Sequence, residues 1–192
     1  AANPAPPTVQ RIRVRFAKRG RLRFLSHRDV ARSVERAVRR AGIPVAHSHG
    51  FSPHPRLSWI GAAPTGAASE AEYMEIGLTR PLDPADLAAA LDAALPDGLD
   101  VLAATEAEGT PLAERIDASE WRIELPGISP DELRRAVVAV EVADAVVVER
   151  VTPSGRRQVD VRGALVGVIV SAPGSTSAPD TTDCAIMTAV VR

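Results

Sequence analysis

Between Arg11 and Phe16 apolar and charged residues alternate without a break, Ile12, Val14 and Phe16 against Arg11, Arg13 and Arg15. A period of two describes a strand with one buried face. After the turn-like stretch Ala17-Lys18-Arg19-Gly20 the alternation resumes, with Leu22 and Phe24 inward and Arg21 and Arg23 outward. That pattern predicts a tight hairpin, or one strand bent by a bulge at Gly20. Ser26 followed by Asp29 is a capping-box-like helix start. Val30, Val34, Ala37, Val38 and Ala41 make an apolar stripe at helical spacing, and Gly42 and Pro44 stop it. Arg28, Arg32, Arg36 and Arg39 fall on the other side of that helix.

Further along, Ile43 to Ala46 reads as a short strand. Residues 47–69 read as largely irregular because of Pro53, Pro55, Pro64, Gly50, Gly61 and Gly66, with a brief strand at Leu57 to Ile60. Glu72 to Leu78 alternates as a strand. Asp83-Pro84 opens a helix carrying Leu87, Leu91 and Leu95, and Leu99 to Thr105 is again a strand. The order β-α-β-β-α-β is the ferredoxin-like split arrangement. The pattern then restarts: a strand at Glu120 to Leu125, a helix from Ser129-Pro130 to Val140, and a strand at Ala145 to Val151. A turn at Pro153-Ser154-Gly155 leads into Gln158 to Val161, and Leu165 to Ser171 with Cys184 to Val191 form a further hairpin. The expected fold is α+β, two tandem ferredoxin-like (βαββαβ) units with the second incomplete at the C-terminus. The expected boundaries are a disordered tail over 1–10, a first domain over 11–106, a linker over 107–118 and a second domain over 119–192.

The composition is that of a soluble globular protein, 45% hydrophobic and 24% charged, and 192 residues suffice to bury a core. With only 3% aromatics, that core must be built from Val, Leu, Ile and Ala. A single cysteine, Cys184, excludes an internal disulfide and any Cys-rich metal site, which fits a cytoplasmic protein. No apolar run is long enough to span a bilayer. The net charge of −1 hides a sharp asymmetry. Residues 11–40 hold 12 basic and 2 acidic residues, whereas 70–149 hold 5 basic and 19 acidic.

The basic run is almost purely arginine; Lys18 is the only lysine in the chain. A guanidinium matches phosphate bidentately and stacks on bases, so the run is a candidate nucleic-acid surface. Its members are Arg11, Arg13 and Arg15 on the strand, Lys18, Arg19, Arg21 and Arg23 after it, and Arg28, Arg32, Arg36 and Arg39 on the helix, with Arg56 beyond. They are expected to converge into one cationic platform beside the loop HSHGFSPHPRLS. A solvated face is the bland alternative. Three readings of the loop stay open. His47, His49 and His54, with His27, could ligate a metal, although no acidic residue lies in the loop. One histidine beside arginines could move a proton at neutral pH, which makes His27 and His54 the candidate catalytic residues. Or the histidines and Phe51 bind or stack bases, with Ser26, Asp29, Gly50, Phe51, Ser52, Pro53, Pro55 and Ser58 shaping a pocket. No Gly-rich phosphate loop and no Ser-His-Asp order is present.

The stretch from RIRVRF through FLSHRD and GFSPHPRLS to SEAEY resembles the radical-SAM-linked protein family, a bacterial domain of unknown function encoded beside or fused to a radical SAM protein. The matching positions are Phe24, Ser26, His27, Asp29, Gly50, Phe51, Pro53, His54, Pro55, Leu57, Ser58, Glu70 and Glu72. His47 stands where an aromatic is common in that family and His49 where a polar residue is common, which weighs against a three-histidine metal site. The resemblance implies a helper of a radical SAM enzyme and no established activity of its own. Joined to the arginine surface, it leads to the expectation of an RNA-binding accessory protein, without cofactor or metal, acting in tRNA or rRNA modification. A looser likeness in fold, to the CRISPR repeat-processing endoribonucleases, gives the alternative of a metal-independent ribonuclease. A protein-interaction scaffold for the radical SAM partner is the third expectation.

Overall fold

Ile12, Val14 and Phe16 of the strand Gln10–Lys18 (β1) are at most 1% exposed, and the arginines between them turn to the other face. The computed structural model describes residues 6–49, 51–173 and 184–192. Two units divide at Arg115 and Ile116.

In the first unit β1 is central. Ser69–Leu78 (β3) pairs with it antiparallel on one side, with Ile12 opposite Ile76 and Val14 opposite Met74, and Leu99–Glu106 (β4) pairs on the other. Leu57–Ile60 (β2) lies outside β3, so the order is β2-β3-β1-β4, the all-antiparallel order of a split βαββαβ unit. The helices His27–Arg40 (α1) and Pro84–Ala94 (α2) cover one face. Val30, Val34, Ala37 and Val38 of α1 and Leu87 and Leu91 of α2 join Ile12, Val14, Phe16, Met74 and Ile76 in one core. Ser26 caps α1 by accepting from the Asp29 backbone N–H at 3.2 Å. Gly42, at φ 63°, ends it, with the Ile43 N–H reaching back to the Val38 carbonyl at 3.2 Å.

Three local expectations are corrected. Gly20–Phe24 is a 3₁₀ helix and not a strand. Leu22 and Leu25, three apart, pack against the core, while Phe24 is left exposed. A two-residue alternation and a three-residue repeat look alike over five residues, and Gly20 at φ 54° selects the tighter turn. The strand expected at Ile43 to Ala46 shrinks to one bridge, Val45 to Leu78, in a segment where Pro44 has no N–H to give. The disordered tail expected over 1–10 does not include Val9 and Gln10, because the Val9 N–H donates to the Leu78 carbonyl and Gln10 opens β1. Ala1 to Ala5 lie outside the described residues.

After the short helix Leu112–Arg115 (α3), the second unit contains Ser119–Pro126 (β5), Pro130–Val142 (α4), the hairpin Val147–Thr152 (β6) and Gly155–Asp160 (β7), the turn of helix Val161–Ala164 (α5), and Leu165–Ser171 (β8) with Cys184–Val191 (β9). Its sheet is β5-β9-β8, with both outer strands antiparallel to β9, and β6-β7 stand apart as a two-stranded sheet. Strands β5 and β8 are therefore parallel around β9, which is one split βαβ and not a complete βαββαβ unit. Among the described residues α4 is the one long helix on this sheet. An apolar cavity of about 360 Å³ remains between them, with Trp121, Leu133, Val137 and Met187 in its wall.

Helix α4 begins with a reciprocal cap. The Glu132 N–H donates to the Ser129 hydroxyl, and the Glu132 carboxylate accepts from the Ser129 N–H and hydroxyl at 2.9 and 2.6 Å. Those bonds hold the Glu132 carboxyl below its ordinary value, the Ser129 hydroxyl contributing most. A depressed carboxylate stabilises the fold fully above its unfolded value, and loses that contribution as the pH falls through the folded one. We expect Glu132→Gln to remove this part of the acid-limb stability loss of the second unit, seen as a flatter dependence of Tm on pH by circular dichroism.

Candidate functional site

The two-layer build of the first unit decides where the basic residues go. Because α1 lies on the face of Ile12, Val14 and Phe16, residues Arg11, Arg13 and Arg15 point to the open face of the sheet. Arg28, Arg32, Arg36 and Arg39 are exposed on the far side of α1, in the helix layer. The single cationic platform expected from sequence is thus divided between two sides of the sheet. Sequence proximity placed the two sets together; strand alternation and helix packing separate them.

Within each set the arginines differ. Arg13 is tied to Glu75, opposite it on β3, at 2.8 Å, with side chains 10% and 14% exposed, and this neutralises it. Arg15 is exposed, and among the described residues no carboxylate comes within 4 Å of it. Arg19 binds Glu70 at 2.6 Å and Asp100 at 3.2 Å, and the hydrogen bond to Glu70 raises its pKa further. Arg36 donates to the Ser33 hydroxyl, and Arg39 reaches the Glu35 carbonyl. Arg32 lies 3.8 Å from Asp29, whereas Arg21, Arg23 and Arg28 are exposed with no such carboxylate among the described residues.

Lys18 does not belong to this surface. It is 2% exposed, and its Nζ donates to the carbonyls of Ala63 and Pro64 at 3.1 and 3.3 Å. Glu72, 7% exposed, accepts from the Ala63 N–H at 3.1 Å. A buried ammonium and a buried carboxylate therefore hold the two polar groups of one peptide segment, fixing the turn between β2 and β3. A basic run in sequence gives no hint that its one lysine is spent this way.

The α1 end of the unit gathers aromatic and basic groups. The Arg23 guanidinium sits 4.5 Å from the ring centre of Phe24, a residue 58% exposed. His27 meets Trp59 edge to face at 5.2 Å, and Trp59 meets Phe16 likewise at 6.2 Å. Trp59 thus links the core to the surface histidine, a role its place in the chain does not reveal. Ser26 and Asp29 are occupied in capping: the Ser26 hydroxyl donates to the Asp29 carboxylate at 2.6 Å. That bond, aided by Arg32 and Arg28, keeps the Asp29 carboxyl below its ordinary value.

The histidine loop is a closed hairpin excursion from the sheet edge. The Arg56 N–H donates to the Ala46 carbonyl at its neck, Gly77 of β3 bonds to both of those residues, and His47 bridges Pro55. The Ser48 N–H donates to the His54 carbonyl at 2.8 Å, and the Ser48 hydroxyl accepts from the His54 N–H at 3.0 Å. His49, Phe51, Ser52, Pro53 and His54 are exposed, as is Ser58 on β2, while Pro55 is half-buried. Gly50 lies outside the described residues. No hydrogen bond or stacking contact joins His27 to His54, and no three His, Cys, Asp or Glu side chains gather at one point, among the described residues. No helix among them is long and apolar enough to cross a membrane.

The sequence profile described as "Uncharacterized protein conserved in bacteria (DUF2344)" matches residues 11–192. No curated protein matches the chain.

We expect Lys18→Met to lower the stability of the first unit by about 2 kcal/mol, the scale of hydrogen bonds to a buried charge, as measured by denaturant unfolding. RNA affinity, measured on the folded variant, should not change.

Proposed function

The chain belongs to the bacterial DUF2344 family. We propose that it is an RNA-binding module, acting as the accessory of a radical SAM enzyme in the cytoplasm. The observation that carries this reading is the surface from Arg21 to Arg32. Arg21, Arg23 and Arg28 offer guanidiniums without carboxylate partners among the described residues, beside an exposed Phe24 and the edge-to-face pair His27 and Trp59. Cations interleaved with aromatic faces are what a single strand of RNA requires, phosphate neutralisation plus base stacking. Arg32, Arg36 and Arg39 extend the cationic track along α1. A phosphate backbone following α1 from its N-terminal end would meet these in succession.

The partner and the substrate class, a tRNA or rRNA undergoing modification, rest on the resemblance of FLSHRD and GFSPHPRLS to the radical-SAM-linked proteins. The ribonuclease alternative has less support, because its two histidines make no contact with each other among the described residues.

Anisotropy of a labelled single-stranded RNA, titrated over a range of salt, tests the binding. We expect affinity to fall steeply with salt. Arg28→Glu with Arg32→Glu should weaken it at least about tenfold, and Arg15→Glu should leave it unchanged. Salt-insensitive binding, or equal loss in the Arg15 variant, would remove the proposal.

A further inference from the structure

On the open face, away from α1, the first residues of β1 and β2 enclose a small polar cavity of about 120 Å³. Arg11, Arg56, Ser58 and Thr8 contribute its polar wall, and Glu75 and Gly77 its sheet side. Glu75 is already bound by Arg13 at 2.8 Å, so that pair adds little net charge, while Arg11 and Arg56 add two positive ones. Arg56 gives its Nε–H to the His47 carbonyl at 3.5 Å, and among the described residues no acceptor takes its two terminal nitrogens.

Two details mark this as a built site and not a gap between surface side chains. The Thr8 hydroxyl is buried and has no hydrogen-bond partner among the described residues. A buried polar atom left in that state costs free energy unless something fills its place. Gly77 forms the floor: a methyl group there would lie 3.1 Å from Thr8 Cγ2, 3.3 Å from Thr8 Oγ1 and 3.4 Å from Arg56 Cβ. A side chain at 77 would make Thr8 and Arg56 give way by a few tenths of an ångström, and the bare backbone lets both approach this closely.

We propose that this cavity binds a phosphate monoester. Two guanidiniums present forked donors to a tetrahedral dianion, the exposed Ser58 hydroxyl supplies a neutral donor, and the net charge of the wall matches that of the ligand. The volume admits a tetrahedral oxyanion in place of a few waters. The site lies across the sheet from the Arg21–Arg32 surface, so it stands whether or not RNA binds there. The phosphoryl group could belong to a small phosphorylated metabolite or to the 5′ end of an oligonucleotide, and the same chemistry serves both.

The test titrates inorganic phosphate into the full chain at constant ionic strength, against chloride, by calorimetry. We expect one saturable site, weakened roughly tenfold or more by Arg56→Gln and by Gly77→Ala, with circular dichroism confirming that both variants fold. Arg28→Glu with Arg32→Glu should leave phosphate binding intact even where it abolishes RNA binding. Displacement of phosphate by ribose 5-phosphate would identify a small ligand, and displacement by a 5′-phosphorylated but not a 5′-hydroxyl oligonucleotide would identify a strand end; either supports the site. No saturable binding, or binding that survives Arg56→Gln and Gly77→Ala, or binding lost with the α1 arginines, would overturn it.

Discussion

One strand with two incompatible faces governs the first unit. Ile12, Val14 and Phe16 can leave water only beneath α1 and α2, and their burial fixes the register with β3 and β4. A shift of one residue would drive three guanidiniums into an apolar core, at a cost no local gain could offset. The same constraint turns Arg11, Arg13 and Arg15 to the open face and leaves the arginines of α1 on the opposite side. Charge placement at the surface is thus a consequence of apolar burial within. The two candidate sites, the arginine-aromatic surface around α1 and the cavity at the start of β1, inherit their separation from it.

Buried polar groups then set the loops on this frame. Lys18 and Glu72 hold the Ala63 turn from both sides, which keeps the segment between β2 and β3 in a fixed shape beside Trp59. Gly77 does comparable service at the other end of β3, where its N–H and carbonyl bind Arg56 and Ala46 and its missing side chain admits Thr8. The histidine hairpin is closed at that point. Its neck is therefore continuous with the wall of the phosphate-sized cavity, through Arg56. Both ends of β3 carry devices in which a backbone group, not a side chain, is what must be held.

Much of the fold was legible because strands and helices with one buried face announce themselves by period. The alternation in β1 and the stripe Val30, Val34, Ala37, Val38 mark faces that are buried in the core, and the alternation of Glu72 to Leu78 marks the strand β3. What failed were features without a period. The 3₁₀ turn at Gly20–Phe24 imitates a strand because five residues cannot separate spacings of two and three. Lys18 was placed at the surface because a charged residue in a basic run looks solvated, and only the β2–β3 turn, distant in sequence, supplies its carbonyl partners. Thr8 and Gly77 carry no signal in the sequence, since a small residue gains meaning only from what packs over it. The candidate basic residues could be named one by one, but their division into two sides depends on which face of β1 the helix covers. That is a tertiary fact.

The side-chain Nε–H signals of the arginines report directly on their division between the two sides of the sheet. On titrating a short single-stranded RNA into the isotope-labelled protein, the resonances of Arg23, Arg28 and Arg32 should shift together on one binding curve while those of Arg13 and Arg15 stay in place. If the strand and helix arginines moved together on the same curve, a single continuous platform would exist, and the separation of the basic residues into two faces would be contradicted.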